Sequence, residues 1–131
     1  MHLDTHVVVW LHEDRRDRIP EAVRRRLNTA PLMVSPMVEL ELAYLFDVGK
    51  ISVPASVIID DLRPTVGLEV STTPFESVIR QAVRLTWTRD PFDRLIAAQA
   101  IAEGESLLTA NRRILANLQH AVWDKTEPSP A

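Results

Sequence analysis

The sequence predicts an α/β domain built on a mostly parallel sheet. Three observations point that way. Short strand-like runs alternate with segments of helical period along the chain. The 131 residues, 46% of them apolar, suit one compact globular unit. No internal repeat, low-complexity tract or linker divides the chain.

The elements follow in order. Residues 1–4 begin a strand. Val7-Val8-Val9-Trp10-Leu11 has strand propensity throughout and alone would extend that strand to Leu11. Pro20 to Leu27 is helical: Ile19, Val23 and Leu27 fall four apart and arginines fill the other face. Leu32-Met33-Val34 is a short buried strand. Residues 37–47 have helical spacing, with Met37, Leu40 or Glu41, Tyr44 and Leu45 on related faces and Gly49 as a stop. Pro54 to Leu62 is a helix with proline in its first turn. Residues 68–70 form a strand, and Pro74–Leu85 and 91–103 are helices. Residues 106–109 form a strand, 112–118 a short helix and 121–123 a last strand. The domain is expected over residues 1–124, with 125–131 as a disordered tail ending Pro128-Ser129-Pro130-Ala131.

Composition removes several classes of function. The chain has no cysteine, which excludes a disulfide framework, a thiolate zinc site and a cysteine nucleophile. No charged-then-apolar leader opens it and no apolar run is long enough to span a bilayer, so the expected location is the cytoplasm, with no membrane partner. The net charge of −3 argues against charge-driven binding of duplex nucleic acid. Yet Lys50 and Lys125 are the only lysines, and the other thirteen basic residues are arginines, which suit bidentate contact with phosphate. A nucleic-acid role therefore stays open, provided acids cluster in one site and arginines rim it.

In open α/β sheets ligands bind beyond the carboxyl ends of the strands. Asp4 ends the first strand, and Ser35 ends the second, before a helix carrying Glu39 and Glu41. Asp90 and Asp93 open the helix at Pro91, and Thr109 and Asn111 follow the late strand. Donors that are all oxygen suit a hard divalent ion, Mg²⁺ or Mn²⁺. Each residue also has a purely structural reading. Asp4 is a possible helix cap. Asp90-Pro91-Phe92-Asp93 is a complete helix start, with Asp90 as N-cap, Pro91 first and Asp93 beside the positive end of the dipole. Glu39 and Glu41, two apart, face nearly opposite ways, so at most one enters the site. The histidines, His2, His6, His12 and His120, lack partners at ligand spacing and receive no role. The combination carries the weight: carboxylates from several segments meet at one sheet edge, which is costly without a cation. Two other acid-and-magnesium sheets do not fit. A response-regulator receiver needs a lysine after a late strand, and a haloacid-dehalogenase-like phosphatase needs Asp-x-Asp where this chain has Asp4-Thr5-His6.

Four segments in order resemble the motifs of PIN-domain proteins of the VapC toxin type: LDTH at 3–6, SPMVELEL at 35–42, RDPFDRLIAAQA at 89–100 and LLTANRRI at 107–114. The third is the most specific, and the resemblance covers roughly residues 1–123. It implies a three-layer α/β/α sandwich and a helix directly after Asp4. It also implies Mg²⁺- or Mn²⁺-dependent endoribonuclease activity, inhibition by a VapB-like antitoxin, and a homodimer. Trp10, Leu11, Leu45 and Phe46 could serve that dimer's surface or the core. Carried over by position, Asp4, Glu41 and Asp93 match the family's acids, and Glu39 does not fit the spacing. Asp90 matches a neighbour of the site, and Thr5 and Thr109 match hydroxyls that orient the carboxylates. Arg89, Arg94, Arg112 and Arg113 flank the site and are the candidates for RNA contact. The family usually has aspartate where this chain has Asn111, a neutral possible ligand. That departure supports an alternative: a PIN-like module that binds RNA or an antitoxin and cleaves weakly.

Overall fold

The computed structural model describes residues 1–123. The expected tail, 125–131, lies outside the described residues. In order come β1 (His2–Leu3), α1 (Thr5–His12), α2 (Glu21–Leu27), β2 (Met33–Val34), α3 (Pro36–Asp47), α4 (Ala55–Val66), β3 (Glu69–Val70), α5 (Phe75–Ala82), α6 (Pro91–Glu103), β4 (Leu107–Leu108), α7 (Arg112–Asn117) and β5 (Ala121–Val122). The strands form one sheet in the order β3-β2-β1-β4-β5, and every pairing is parallel. Helices flank it in a three-layer α/β/α arrangement.

Register decides where chemistry can sit. His2 pairs with Met33 and Leu107, Val34 with Val70, and Leu108 with Val122. The residues just beyond the strands therefore form one row: Asp4, Ser35, Ser71 and Thr109. Backbone bonds continue the ladder through that row, from Asp4 N–H to Leu108 O at 3.0 Å and from Ser71 N–H to Val34 O at 2.8 Å. The chain winds outward from β1 to β3, then returns to β4 on the other side. The switch of direction falls between β1 and β4, where such sheets open a crevice.

Burial explains the elements. Leu3, Val34, Leu107 and Leu108 are fully buried, as strands covered on both faces require. Val7, Val8 and Val9 are buried too, but in α1. A parallel sheet needs a crossover directly after β1, and a helix apolar around most of its surface fits between sheet and neighbours. Tertiary demand thus overrides the strand propensity of residues 7–11.

Most boundaries shift by a residue from the sequence expectation, and three helices differ for a physical reason. In α3 the buried stripe is Val38, Leu42 and Leu45, while Leu40 (56% exposed) and Tyr44 face outward. The helix starts at Pro36 with Ser35 as its cap, which sets this rotation. The fourth helix runs past Leu62 and through Pro64 to Val66, because proline in the last turn loses only one bond and Gly67 then closes the end. Helix α5 stops at Ala82 instead of Leu85. Arg94 supplies the reason: its Nε donates to Ala82 O at 2.7 Å and its Nη2 to Val83 O at 3.3 Å. Of the residues suggested for a dimer surface, Leu45 is buried, Trp10 and Leu11 pack against the core, and Phe46 is exposed.

Helix α6 closes on Gly104 at φ +65°, with open space where a Cβ would sit. Gly104→Ala should therefore cost about 1 kcal/mol from left-handed backbone alone, with no clash. Urea denaturation of the two proteins measures it; a loss near zero would mean the helix end adjusts freely.

Candidate active site

Asp4 is 4% exposed, the most buried of the acids singled out above. It leaves β1 with extended backbone and caps α1, its Oδ1 accepting from Thr5 N–H at 2.8 Å. Its Oδ2 accepts from Thr109 Oγ1 at 2.6 Å, across the switch point. A buried carboxylate is costly unless its oxygens accept such bonds. Thr109 is fully buried, and its Oγ1 also accepts from Asn111 N–H at 3.0 Å. Asn111 caps α7: Oδ1 accepts from Arg113 N–H at 2.9 Å and Ile114 N–H at 3.2 Å. Its Nδ2 donates to Asp93 Oδ2 at 3.3 Å.

The start of α6 follows the capping logic of its sequence. Asp90 Oδ1 accepts from Phe92 N–H at 2.8 Å and Asp93 N–H at 3.2 Å, with Pro91 at the first helical position. Asp90 is thereby occupied as a cap, and Asp93, one turn in, points toward the crevice and Asn111. Glu41 approaches from α3. Glu39 is exposed on another face of that helix, as the two-residue spacing requires.

Electrostatics shows that these acids share one space. Burial raises the pKa of Glu41 to about 7, assisted by the charges of Asp4, Asp93 and Asp90 and opposed by the Thr5 hydroxyl. Burial likewise raises Asp93 to about 6, with Asp90 and Asp4 pushing it up and Asn111 and His6 pulling it down. The Thr5 hydroxyl faces Glu41, yet its geometry falls short of a hydrogen bond, so a buried Oγ1 is left without a partner in the cleft. As placed, no three His, Asp or Glu side chains among the described residues converge to ligating distance. The donor set nonetheless fits a hard divalent cation. Three carboxylates arrive from three elements, all donors are oxygen, and the mutual repulsion is of the kind a cation relieves.

The structure brings Asp4, Thr5, Glu41, Asp90, Asp93, Thr109 and Asn111 to one edge of the sheet. Arg89, Arg112 and Arg113 are exposed at the starts of α6 and α7. Arg94, grouped with them on sequence, has its guanidinium turned to the end of α5. Sequence reasoning gives His6 no role, but it stands close enough to Asp93 to stabilise the anion. Its position in the first turn of α1, two residues after Asp4, was the available signal.

Together these features define an α/β domain with a carboxylate-lined cleft at its topological switch point. The chain belongs to the PIN domain family, whose model matches residues 1–120. No curated protein sequence matches it. Solved structures share its fold. A toxin–antitoxin complex from Klebsiella pneumoniae has 16% identity, covers 95% of this chain and 97% of its own, and gives a TM-score of 0.66. The VapBC2 complex from Rickettsia felis, bound to a DNA fragment from its promoter, has 20% identity, coverages of 94% and 98%, and a TM-score of 0.64. DNA-bound VapBC from Salmonella typhimurium has 22% identity, 92% coverage of each chain and a TM-score of 0.59.

The two raised carboxyls make a prediction that needs no metal. The folded chain holds protons on Glu41 and Asp93 up to about 7 and about 6, against 4.5 and 3.8 as ordinary values. Their contribution to stability is complete below those ordinary values and is lost as pH rises through the folded ones. In a chelating buffer, stability should therefore fall between about pH 4 and about pH 7. The double variant Glu41→Gln/Asp93→Asn should flatten that fall, measured by urea denaturation across the range. An equal slope in both proteins would show that the carboxyls do not crowd one another.

Proposed function

We propose that this chain is a Mg²⁺- or Mn²⁺-dependent endoribonuclease of the VapC toxin type, neutralised by a VapB-like antitoxin. One observation carries the reading: burial first, and then the charges of neighbouring acids that include buried Asp4, raise the pKa of both Glu41 and Asp93, so three elements deliver carboxylates to one cleft. Membership of the PIN family supports the reaction class, and the likeness in fold to toxin–antitoxin complexes supports the partner. The antitoxin and a second copy of this chain are the expected protein partners, and exposed Leu40, Tyr44, Phe46 and Phe75 offer them apolar surface. Among the described residues no helix is long and apolar enough to cross a membrane; a cytoplasmic location belongs to the same proposal.

In this reading Asp4, Glu41 and Asp93 hold the ion. Thr109 Oγ1 and Thr5 N–H keep the Asp4 carboxylate in one orientation, and Asn111 Nδ2 does the same for Asp93. A bound Mg²⁺ or Mn²⁺ supplies Lewis acidity toward a phosphate oxygen and lowers the pKa of water. Arg89, Arg112 and Arg113 bind flanking phosphates of a single-stranded or looped RNA. Arg94 is the weakest of the four candidates, since its nitrogens already serve α5. The weakly cleaving alternative draws on Asn111, whose Oδ1 is taken by the cap of α7 and whose amide adds no charge.

A cleavage assay on a mixed single-stranded RNA with and without Mn²⁺ separates the two readings. Metal-dependent cuts support the enzyme; binding without cuts supports the module. Glu41→Gln should lower the rate on the order of 10²-fold or more, the scale of losing one group that stabilises developing charge. Glu39→Gln should stay near the parent. The reverse ranking would put the other glutamate in the cleft.

Asn111→Asp keeps the cap oxygen but exchanges an N–H donor for a second carboxylate beside Asp93. In chelator it should lower stability through repulsion. With metal it should lower the Mn²⁺ concentration needed for half-maximal cleavage. Equal midpoints for the two proteins would place residue 111 outside the ion's reach.

A further inference from the structure

A second polar cluster lies behind the acidic cleft, buried except at its partly exposed member Glu103. Gln99 on α6 is 3% exposed. Its Oε1 accepts from Ser35 Oγ at 3.1 Å, and its Nε2 donates to Glu103 Oε2 at 2.7 Å. Ser71 Oγ, just beyond β3, donates to the same Glu103 oxygen. His2 Nε2, on β1, lies 3.0 Å from Glu103 Oε1. Ser35, Ser71 and His2 are all buried. Ser35 is also the cap of α3, its Oγ accepting from Met37 N–H at 3.1 Å.

The membership of this cluster is not arbitrary. Each element that carries one of the three cleft acids also contributes to it. His2 lies on β1, the strand that leads directly into Asp4. Ser35 begins the helix that carries Glu41. Gln99 and Glu103 are on the helix that carries Asp93, about two and three turns further along. Gln99 therefore ties the start of α3 to the middle of α6, and Glu103 ties the end of α6 to the central strand. Apolar packing alone leaves such helices free to slide by fractions of an ångström. Directional bonds between buried groups remove that freedom, because slipping would leave donors and acceptors unpaired.

We infer that Gln99 is a positioning residue: through Ser35 and Glu103 it fixes α3, α6 and β1 in the relative placement that sets the spacing of Asp4, Glu41 and Asp93. The inference rests on the proposed role of those acids. A misplacement of about 1 Å at a reacting centre can cost about 10²-fold, so a partial loosening should be visible in rate.

Gln99→Met removes both hydrogen bonds at nearly constant volume, and Ile96→Val serves as a packing control on the same buried helix. Both are compared with the parent well below their melting temperatures. Gln99→Met should lower kcat about tenfold or more with KM within about twofold, and should weaken Mn²⁺ binding several-fold by isothermal titration. Ile96→Val should do neither. Should Gln99→Met fail to fold, Glu103→Gln carries the comparison for the β1 side of the network, since it keeps the shape and weakens the bonds of Glu103 to Gln99, Ser71 and His2. If the network variant matches the control in kcat and in Mn²⁺ affinity while the parent cleaves, the cluster serves stability only and the positioning role is overturned. A parent that neither binds Mn²⁺ nor cleaves overturns the ribonuclease reading, and this inference with it.

Discussion

The Asp4 carboxylate, buried at the middle of the sheet, is the interaction on which the rest of the site depends. It sits where β1 ends and the order of strands reverses. Its two oxygens take donors from opposite sides, Thr5 N–H from the helix it starts and Thr109 Oγ1 from the neighbouring strand's end. A charged acceptor buried this deeply would be expensive without them, and bonds to charge are worth about 1.5–3 kcal/mol each. Thr109 passes the ordering on to Asn111 N–H, and Asn111 passes it to Asp93. One carboxylate thus turns the chain from strand to helix, links β1 to β4, and through two intermediaries orients an acid on α6.

The two ends of α6 show how environment alone divides carboxylates into opposite states. Asp93 lies among acids, and burial with their charges raises it to about 6. Glu103, ten residues on, is also penalised by burial, but hydrogen bonds to Ser71, Gln99 and His2 outweigh the penalty and hold it at about 2. One group is short of donors and the other is surrounded by them. Folding stabilises Glu103 as an anion above its ordinary value near 4.5, and that stability is lost only as pH falls toward about 2. Carboxyl crowding therefore lies at the cleft, while the polar cluster behind it bonds both carboxylate oxygens of Glu103 and leaves only the buried His2 Nδ1 unpaired among its side-chain atoms.

Much of this was legible in the sequence, and the parts that were not share a cause. Helix α6 was placed at its observed ends because Asp90-Pro91 and Gly104 are local signals, readable without knowing the fold. The rule that strand ends converge gathered Asp4, one of Glu39 and Glu41, Asp90 and Asp93 as candidates, and the resemblance to PIN-domain proteins chose Asp4, Glu41 and Asp93 among them. Residues 7–11 could not be read locally, since their β-branched side chains favour a strand and only the need for a crossover makes them a helix. The early end of α5 depends on Arg94, twelve residues away in sequence. The Gln99 cluster spans residues 2 to 103, and no periodicity or spacing marks such a set. Local rules find caps and faces; side chains that meet across the sheet become visible only with the fold.

The chain's net charge of −3 then stops being an obstacle to a nucleic-acid substrate. Charge matters to a polyanion where it touches, not in sum. On the proposed reading, a divalent ion would offset two of the three negative charges that Asp4, Glu41 and Asp93 bring to the cleft. The same short segments that deliver Asp93 and Asn111 also expose Arg89 at one helix start and Arg112 and Arg113 at the other. Acid and base are therefore placed within a few residues of each other by two helix caps. Arginine in place of lysine suits this, because a planar fork holds a phosphate in a fixed direction relative to the carboxylates. A site built so gains little affinity from long-range attraction and much of its selectivity from fit. That matches a flexible strand entering an acidic crevice better than a rigid duplex lying across a basic face.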